Sequence, residues 1–140
     1  MRVFIDANIL VDIFNSSRAF HNESVKAYRY LIENEAKIYT SCDLITTIYY
    51  IESKRDKKIA LLNVKNILTT LTLIEFSNKE LEIACNLMLK DSSYSDLEDT
   101  LQYILAKKME CDLILSNDKN FISKDIKLLS SKEFCKEFNL

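Results

Sequence analysis

Glycine and proline are both absent from this chain of 140 residues. Average usage would put roughly ten glycines and seven prolines in a sequence of this length. Their absence excludes a G-x-G-x-x-G dinucleotide loop, a phosphate-cradling P-loop, and collagen-like or Gly/Ser-linker segments. Activity must rest on side chains instead of a glycine-rich backbone nest, and the turns are expected at Asn, Asp and Ser. A genome-level drift toward lysine, asparagine and isoleucine is the simple explanation of the bias. Histidine is nearly missing too: His21 stands alone, in what reads as a polar loop before a helix, so triad chemistry and histidine-rich metal sites are poor prospects. Cys42, Cys85, Cys111 and Cys135 are far apart with no C-x-x-C pair, which excludes a zinc ribbon and predicts buried free thiols.

No apolar run reaches the roughly 18 residues that span a bilayer. The opening Met1-Arg2-Val3-Phe4-Ile5-Asp6 meets an acid too early for a signal peptide, so a cytoplasmic, membrane-free location is expected. With 48% hydrophobic and 29% charged residues, the composition is that of a folded globular protein. The length suits a single domain over 1–140.

Short apolar runs alternate with helical periodicity. Val3–Ile5, Lys37–Ser41, Thr72–Phe76, Leu113–Leu115 and Ile126–Leu129 read as strands. Helices are predicted from Ile9, from Ser24, over 44–54 and over 57–71. Three more open at Ser77/Glu80, Ser95/Glu98 and Ser130/Glu133, which all have capping-box spacing. The strands are apolar without clean alternation, as in a parallel sheet covered on both faces. The expected fold is a doubly wound α/β/α sandwich around a mostly parallel sheet of about five strands.

In such sheets ligands bind beyond the carboxyl ends of the strands. Asp6 ends the first strand and Asp118 follows the fourth, while Asp96, Glu98 and Asp99 lie in the first turn of the helix between them. Asp96 and Glu98 are also explained as helix capping. Asp6 is harder to explain structurally, because an acid after a core strand costs desolvation and has no obvious local partner. Clustered carboxylates without His or Cys make an all-oxygen site suited to Mg²⁺ or Mn²⁺. The matching chemistry is phosphodiester hydrolysis, in which the ion activates water and offsets the charge of the substrate.

Four segments then become recognisable together. Phe4-Ile5-Asp6-Ala7-Asn8-Ile9 resembles the D-x-N-hydrophobic opening of PIN-domain nucleases, and Asp96-Leu97-Glu98-Asp99 resembles their third acidic motif. Ile114-Leu115-Ser116-Asn117-Asp118-Lys119-Asn120-Phe121 resembles their closing motif, and Ser41 to Tyr50 is similar to the second motif of the VapC-like toxins. The resemblance implies an Mg²⁺- or Mn²⁺-dependent ribonuclease acting on RNA, a cognate antitoxin and a homodimer. It makes Asp6 the central ligand, completed by Asp99 and Asp118, with Asp96 a further ligand or water-holder. Asn8 and Ser116 would orient the carboxylates.

Two positions depart from the family. Thr47 stands where PIN nucleases commonly carry a glutamate, and Asn120 replaces the usual last aspartate. Asp43, one turn before Thr47, either substitutes for the missing acid or caps its helix. Both departures remove negative charge, which motivates a second hypothesis: a weak or inactive PIN-fold protein that binds RNA or protein. A phospho-receiver domain is disfavoured, because its adjacent acids and its lysine after the last strand are missing. The charge balance, with 21 acidic against 19 basic residues, is not that of an avid nucleic-acid binder. Lys54, Arg55, Lys57 and Lys58 form the one dense basic run, readable as a solvated helix junction or, with Lys119, as a phosphate-contacting rim. Tyr49 and Tyr50 read as core or dimer surface.

Overall fold

A computed structural model describes residues 1–140. Five strands, β1 (Arg2–Ile5), β2 (Lys37–Ser41), β3 (Leu71–Ile74), β4 (Leu113–Leu115) and β5 (Lys127–Leu129), form one sheet in the order β3-β2-β1-β4-β5. All its pairings are parallel. The helices are α1 (Ala7–Phe14), α2 (His21–Glu33), α3 (Cys42–Glu52), α4 (Lys57–Ile67), α5 (Asn78–Lys90), α6 (Leu97–Lys108) and α7 (Ser131–Glu137). In this three-layer α/β/α sandwich α1 packs on α2 and α3, α2 on α7, and α3 on α4, while α5 and α6 pack on each other. No helix is long and apolar enough to cross a membrane.

The central strand shows why the apolar runs do not alternate. Val3, Phe4 and Ile5 are all fully buried, because helices cover both faces of the sheet. Each such side chain contributes roughly 1.5–3 kcal/mol relative to exposure. β3 begins and ends earlier than its sequence predicts. Its ladder with β2 runs from Ile38↔Leu71 to Ser41↔Ile74, and β2 stops there, so Glu75 and Phe76 have no strand to join. α4 correspondingly ends at Ile67, where the Thr69 and Thr70 hydroxyls donate back to the Asn66 and Ile67 carbonyls.

The capping boxes at Ser77/Glu80 and Ser130/Glu133 form as their spacing predicts. The one at Ser95/Glu98 does not: Asp96 caps α6, its Oδ1 accepting from the Asp99 N–H at 2.9 Å. His21 belongs to α2 instead of preceding it, and its Nδ1 lies 2.9 Å from the Asp12 carbonyl oxygen. The thiols are free, but only Cys111 and Cys135 are buried; Cys85 is exposed. Without glycine, the left-handed positions that follow α2, α6 and α7 are held by Glu35, Glu110 and Asn139. Two of these are glutamates, not the Asn, Asp or Ser that turn chemistry predicts. At each, the next residue's N–H closes a Schellman-type bond to the helix, Ala36 to Leu31, Cys111 to Ala106 and Leu140 to Cys135.

Gln102, on α6, is 1% exposed, and neither its Nε2 nor its Oε1 has a partner. A buried unpaired polar group carries its desolvation penalty uncompensated. Gln102→Met is therefore expected to stabilise the fold by about 1–3 kcal/mol. Urea unfolding would show this as a higher midpoint at unchanged slope, and a lower midpoint would refute it.

Candidate active site

The register of the sheet assembles the site. β1 and β4 pair with Ile5 opposite Leu115, so the next residues, Asp6 and Ser116, emerge side by side at the carboxyl edge. This is the switch point of the sheet: the chain leaves β1 for β2 on one side and returns to β4 on the other.

Asp6 is 5% exposed and serves as the N-cap of α1. Its Oδ1 accepts from the Ala7 N–H at 2.7 Å, and its Oδ2 accepts from Asn8 Nδ2 at 2.8 Å and Ser116 Oγ at 2.7 Å. Three of about four acceptor positions are thus filled, leaving one for a further ligand. Ser116 Oγ also accepts from the Asp118 N–H at 3.1 Å, so one hydroxyl ties both acidic segments together. Asp118 Oδ1 in turn accepts from the Asn120 N–H at 2.8 Å.

A cleft of about 200 Å³ opens at this edge, with Asp6, Asn8, Glu98, Asp99, Asp118 and Arg18 on its walls. Asp99 reaches it from the first turn of α6. Because Asp96 performs the capping, Glu98 is not turned back on the helix and faces the cleft as well. The acids repel one another. Burial first, then the charges of Asp6, Asp96, Asp118 and Glu98, push Asp99 up to about 7. Glu98 is raised by burial and by Asp43, Asp6 and Asp96. Asp6 is raised chiefly by burial, against the hydrogen bonds from Ser116, Ala7 and Asn8 that favour its anion.

Other sequence candidates fall elsewhere. Asp96 is exposed at the start of α6 and does not line the cleft. Asp43 is not the cap of α3, which is Ser41; its Oδ1 accepts from the Ser41 hydroxyl. It adds its charge to the cluster through Glu98. Thr47 is exposed and off the cleft wall, although Ile51, one turn further along α3, is on it. In the basic run, Arg55 is committed to structure: its Nη2 donates to the Phe14 carbonyl at 3.1 Å and to buried Glu52 at 3.2 Å. Lys54 lies 4.6 Å over the Tyr50 ring, and Tyr50 is 65% exposed, not core. Neither they nor Lys57 and Lys58 border the acidic cleft. Lys119 instead borders an adjoining cleft shared with Ser116 and Asp118.

The family model for the PIN domain matches residues 3–127. The chain belongs to the PIN-domain family. Its VapC-type character is shown by Ribonuclease VapC1 of Aquifex aeolicus, 51% identical over 138 residues, covering 99% of this chain and 96% of that protein. Among solved structures, VapBC2 from Rickettsia felis, bound to a DNA fragment from its promoter, matches with a TM-score of 0.71 at 19% identity, covering 93% of this chain and 98% of that one. VapC20 of Mycobacterium tuberculosis, a toxin that cleaves the sarcin-ricin loop, matches with a TM-score of 0.68 at 15% identity, covering 85% and 92%. These last two are likenesses of fold.

Seen as a PIN domain, the chain holds one residue type its motifs do not announce. Arg18 is a cation on a wall otherwise rich in acids, and no sequence pattern marks it, because it sits in an ordinary polar helix connection. Asp12 and Asn117, whose side chains meet at 2.8 Å, carry no signal for a different reason: each lies inside a recognisable motif without being one of its defining residues.

Proposed function

We propose that this PIN-domain protein is a divalent-metal-dependent endoribonuclease, the toxin of a toxin–antitoxin pair. The observation that carries the reading is the convergence of Asp6, Asp99 and Asp118 on one cleft beyond β1 and β4, where the one cation on the wall, Arg18, is paired with Asp12 and not with them. The 51% identity to a VapC ribonuclease supports the same activity.

The donor set fits a hard ion, since every candidate ligand is an oxygen, and burial together with neighbouring acids raises Asp6 and Asp99. No three acidic, histidine or cysteine side chains make a ready-formed shell. Mg²⁺ does not need one, as it retains waters and takes one or two carboxylates along with substrate phosphate. Asp6, Asp99 and Asp118 would hold the ion, with Asp96 behind them as the cap that fixes the start of α6. When bound, such an ion polarises the phosphoryl group and makes water a competent nucleophile at neutral pH.

The protein's own part is orientation. Ser116 and Asn8 fix the Asp6 carboxylate through Oδ2, and Ser116 positions the backbone that bears Asp118. Asp99, poised near 7, would be ionised fully only when a cation enters or the pH rises. The partner in this reading is a cognate antitoxin. The exposed Ile51, Ile59, Leu61 and Leu62 on α3 and α4, and Ile83 and Leu89 on α5, leave apolar surface for an antitoxin or a second copy to cover.

Incubation with single-stranded and structured RNAs tests the activity. Cleavage is expected in Mn²⁺ or Mg²⁺ and none in EDTA. Cleavage that survives EDTA would overturn the metal mechanism. The second reading, an inactive PIN-fold binding module, is favoured by Thr47 in place of the common glutamate. It would be upheld by RNA left intact together with no calorimetric signal on Mn²⁺ addition.

A further inference from the structure

We propose that Arg18 is the residue that grips an RNA phosphate at the mouth of the acidic cleft, with Asp12 as the positioning residue that aims it; this rests on the ribonuclease reading above. The connection between α1 and α2 brings Arg18 there by local turn chemistry. Asn15 Oδ1 accepts from both the N–H and the hydroxyl of Ser17, at 3.1 and 2.6 Å, and the Arg18 N–H donates to the Asn15 carbonyl at 3.1 Å. The turn points the Arg18 side chain back to α1, where Nε donates to Asp12 Oδ1 at 2.5 Å.

Asp12 is 2% exposed, which is unusual for an acid on an eight-residue helix so near a charged cleft. Its carboxylate is anchored from the opposite side. Oδ2 accepts from Asn117 Nδ2 at 2.8 Å and from Ser24 Oγ at 3.5 Å. Asn117 is itself fixed: its N–H donates to Asn8 Oδ1 at 3.0 Å, and its own Oδ1 accepts from the Ser131 N–H at 2.9 Å. The chain Asn8–Asn117–Asp12–Arg18 thus joins the acidic edge to the guanidinium through consecutive hydrogen bonds. Arg18 is held by Nε alone, and its two Nη groups have no acceptor on the protein.

Electrostatics explains what those free donors are for. A phosphodiester approaching Asp6, Glu98, Asp99 and Asp118 meets four like charges and a single cation among the residues of the wall. Arg18 is the one cation on the cleft wall, and its ion pair is with Asp12 instead of any acid of the cleft. Asp12 holds it by Nε. A planar guanidinium with both Nη groups free offers the fork that matches two phosphate oxygens, which a lysine does not.

The test separates binding from cleavage. Proteins carrying Asp6→Asn would be titrated with a fluorescein-labelled single-stranded RNA by anisotropy across a salt series. Arg18→Gln alone leaves Asp12 buried and unpaired, so Asp12→Asn is added to remove both charges together. This double substitution is expected to weaken RNA binding about tenfold and to reduce the salt slope by about 0.7, the release expected for one phosphate contact on a single strand. Arg18→Lys keeps the charge beside Asp12. In the enzyme with Asp6 intact it is expected to raise KM several-fold with kcat little changed and the melting curve unmoved.

Wild-type affinity and slope in the folded double variant, or wild-type KM in Arg18→Lys, would overturn the proposal. If the enzyme cleaves RNA and neither Arg18 variant differs, this inference fails and the ribonuclease reading stands. If nothing is cleaved but binding still depends on Arg18, the grip is supported and the activity fails. Inorganic phosphate serves as a competitor: displacement of RNA only when Arg18 is present supports the grip, and equal displacement from both proteins counts against it.

Discussion

Asp6→Asn is expected to lower RNA cleavage by about a thousandfold while leaving the protein folded. A bound ion's stabilisation of phosphoryl transfer is worth several kcal/mol, and each 1.36 kcal/mol is tenfold in rate. Asp6 is the acid most completely built into the site, with Ala7, Asn8 and Ser116 all donating to it. The substituted amide retains one oxygen for the Ala7 N–H, the Ser116 hydroxyl can turn to accept from the new NH₂, and Asn8 Nδ2, which loses its acceptor on residue 6, keeps Ser116 Oγ at 3.3 Å. Losing the charge also removes the burial penalty that raises the Asp6 pKa, so the fold is not expected to suffer. Single-turnover cleavage in Mn²⁺ beside a thermal melt would check both halves. Undiminished cleavage by a folded variant would remove Asp6 from the chemistry.

Asp99→Asn is expected to have opposite effects on stability and activity. With the folded pKa near 7 against an ordinary 3.8, the native protein holds a proton that the unfolded chain has released between those values. Metal-free stability from this group is therefore greatest below about pH 4, and it falls as the pH rises toward and through 7. In full burial such a displacement would amount to about 4 kcal/mol. Asp99 is only half-buried, and solvent screening reduces the effect to about 1–2 kcal/mol. Without metal at pH 8 the variant should melt about 4–8 °C above the wild type, and at pH 4 the two should nearly coincide. With Mn²⁺ the order should reverse, because an ion at a hundred times its Kd stabilises the wild type by about 2.7 kcal/mol. A stabilising substitution that destroys function is what a strained active site produces. Melting curves at both pH values, with and without Mn²⁺, would show it; a variant less stable than the wild type at pH 8 without metal would refute the account.

The candidate site is partly legible in the sequence. Asp6 and Asp118 are readable because each ends a short apolar strand, and strand ends define the ligand edge of a parallel sheet. Asp99 is readable from its place in a first helical turn, and so is the capping role of Asp96; the capping role read for Glu98 is the part that fails. Ser95 and Glu98 have capping-box spacing, and so does Asp96 with Asp99; only the folded backbone decides between them, in favour of Asp96, which leaves Glu98 for the cleft. The basic run misled in the other direction. Arg55 looks like a phosphate ligand in the sequence, and its bonds to Phe14 and Glu52 spend it on joining α3 to α1.

The sequence by itself determined the layered α/β class, the parallel sheet, the carboxylate character of the candidate site and the exclusion of every glycine-built phosphate loop. These follow from composition and from local periodicity, which act over a few residues. It did not determine which residues replace glycine where the backbone turns left-handed, and Glu35 and Glu110 do so against their propensity because helix closure and the packing beyond it demand that turn. Only the tertiary structure decided that Ser116 lands on Asp6, which depends on a register 110 residues apart in sequence. It alone decided that Arg18 stands among the acids without joining them. That position depends on Asp12, Ser24 and Asn117 meeting from three separate segments, and no local pattern encodes such a meeting.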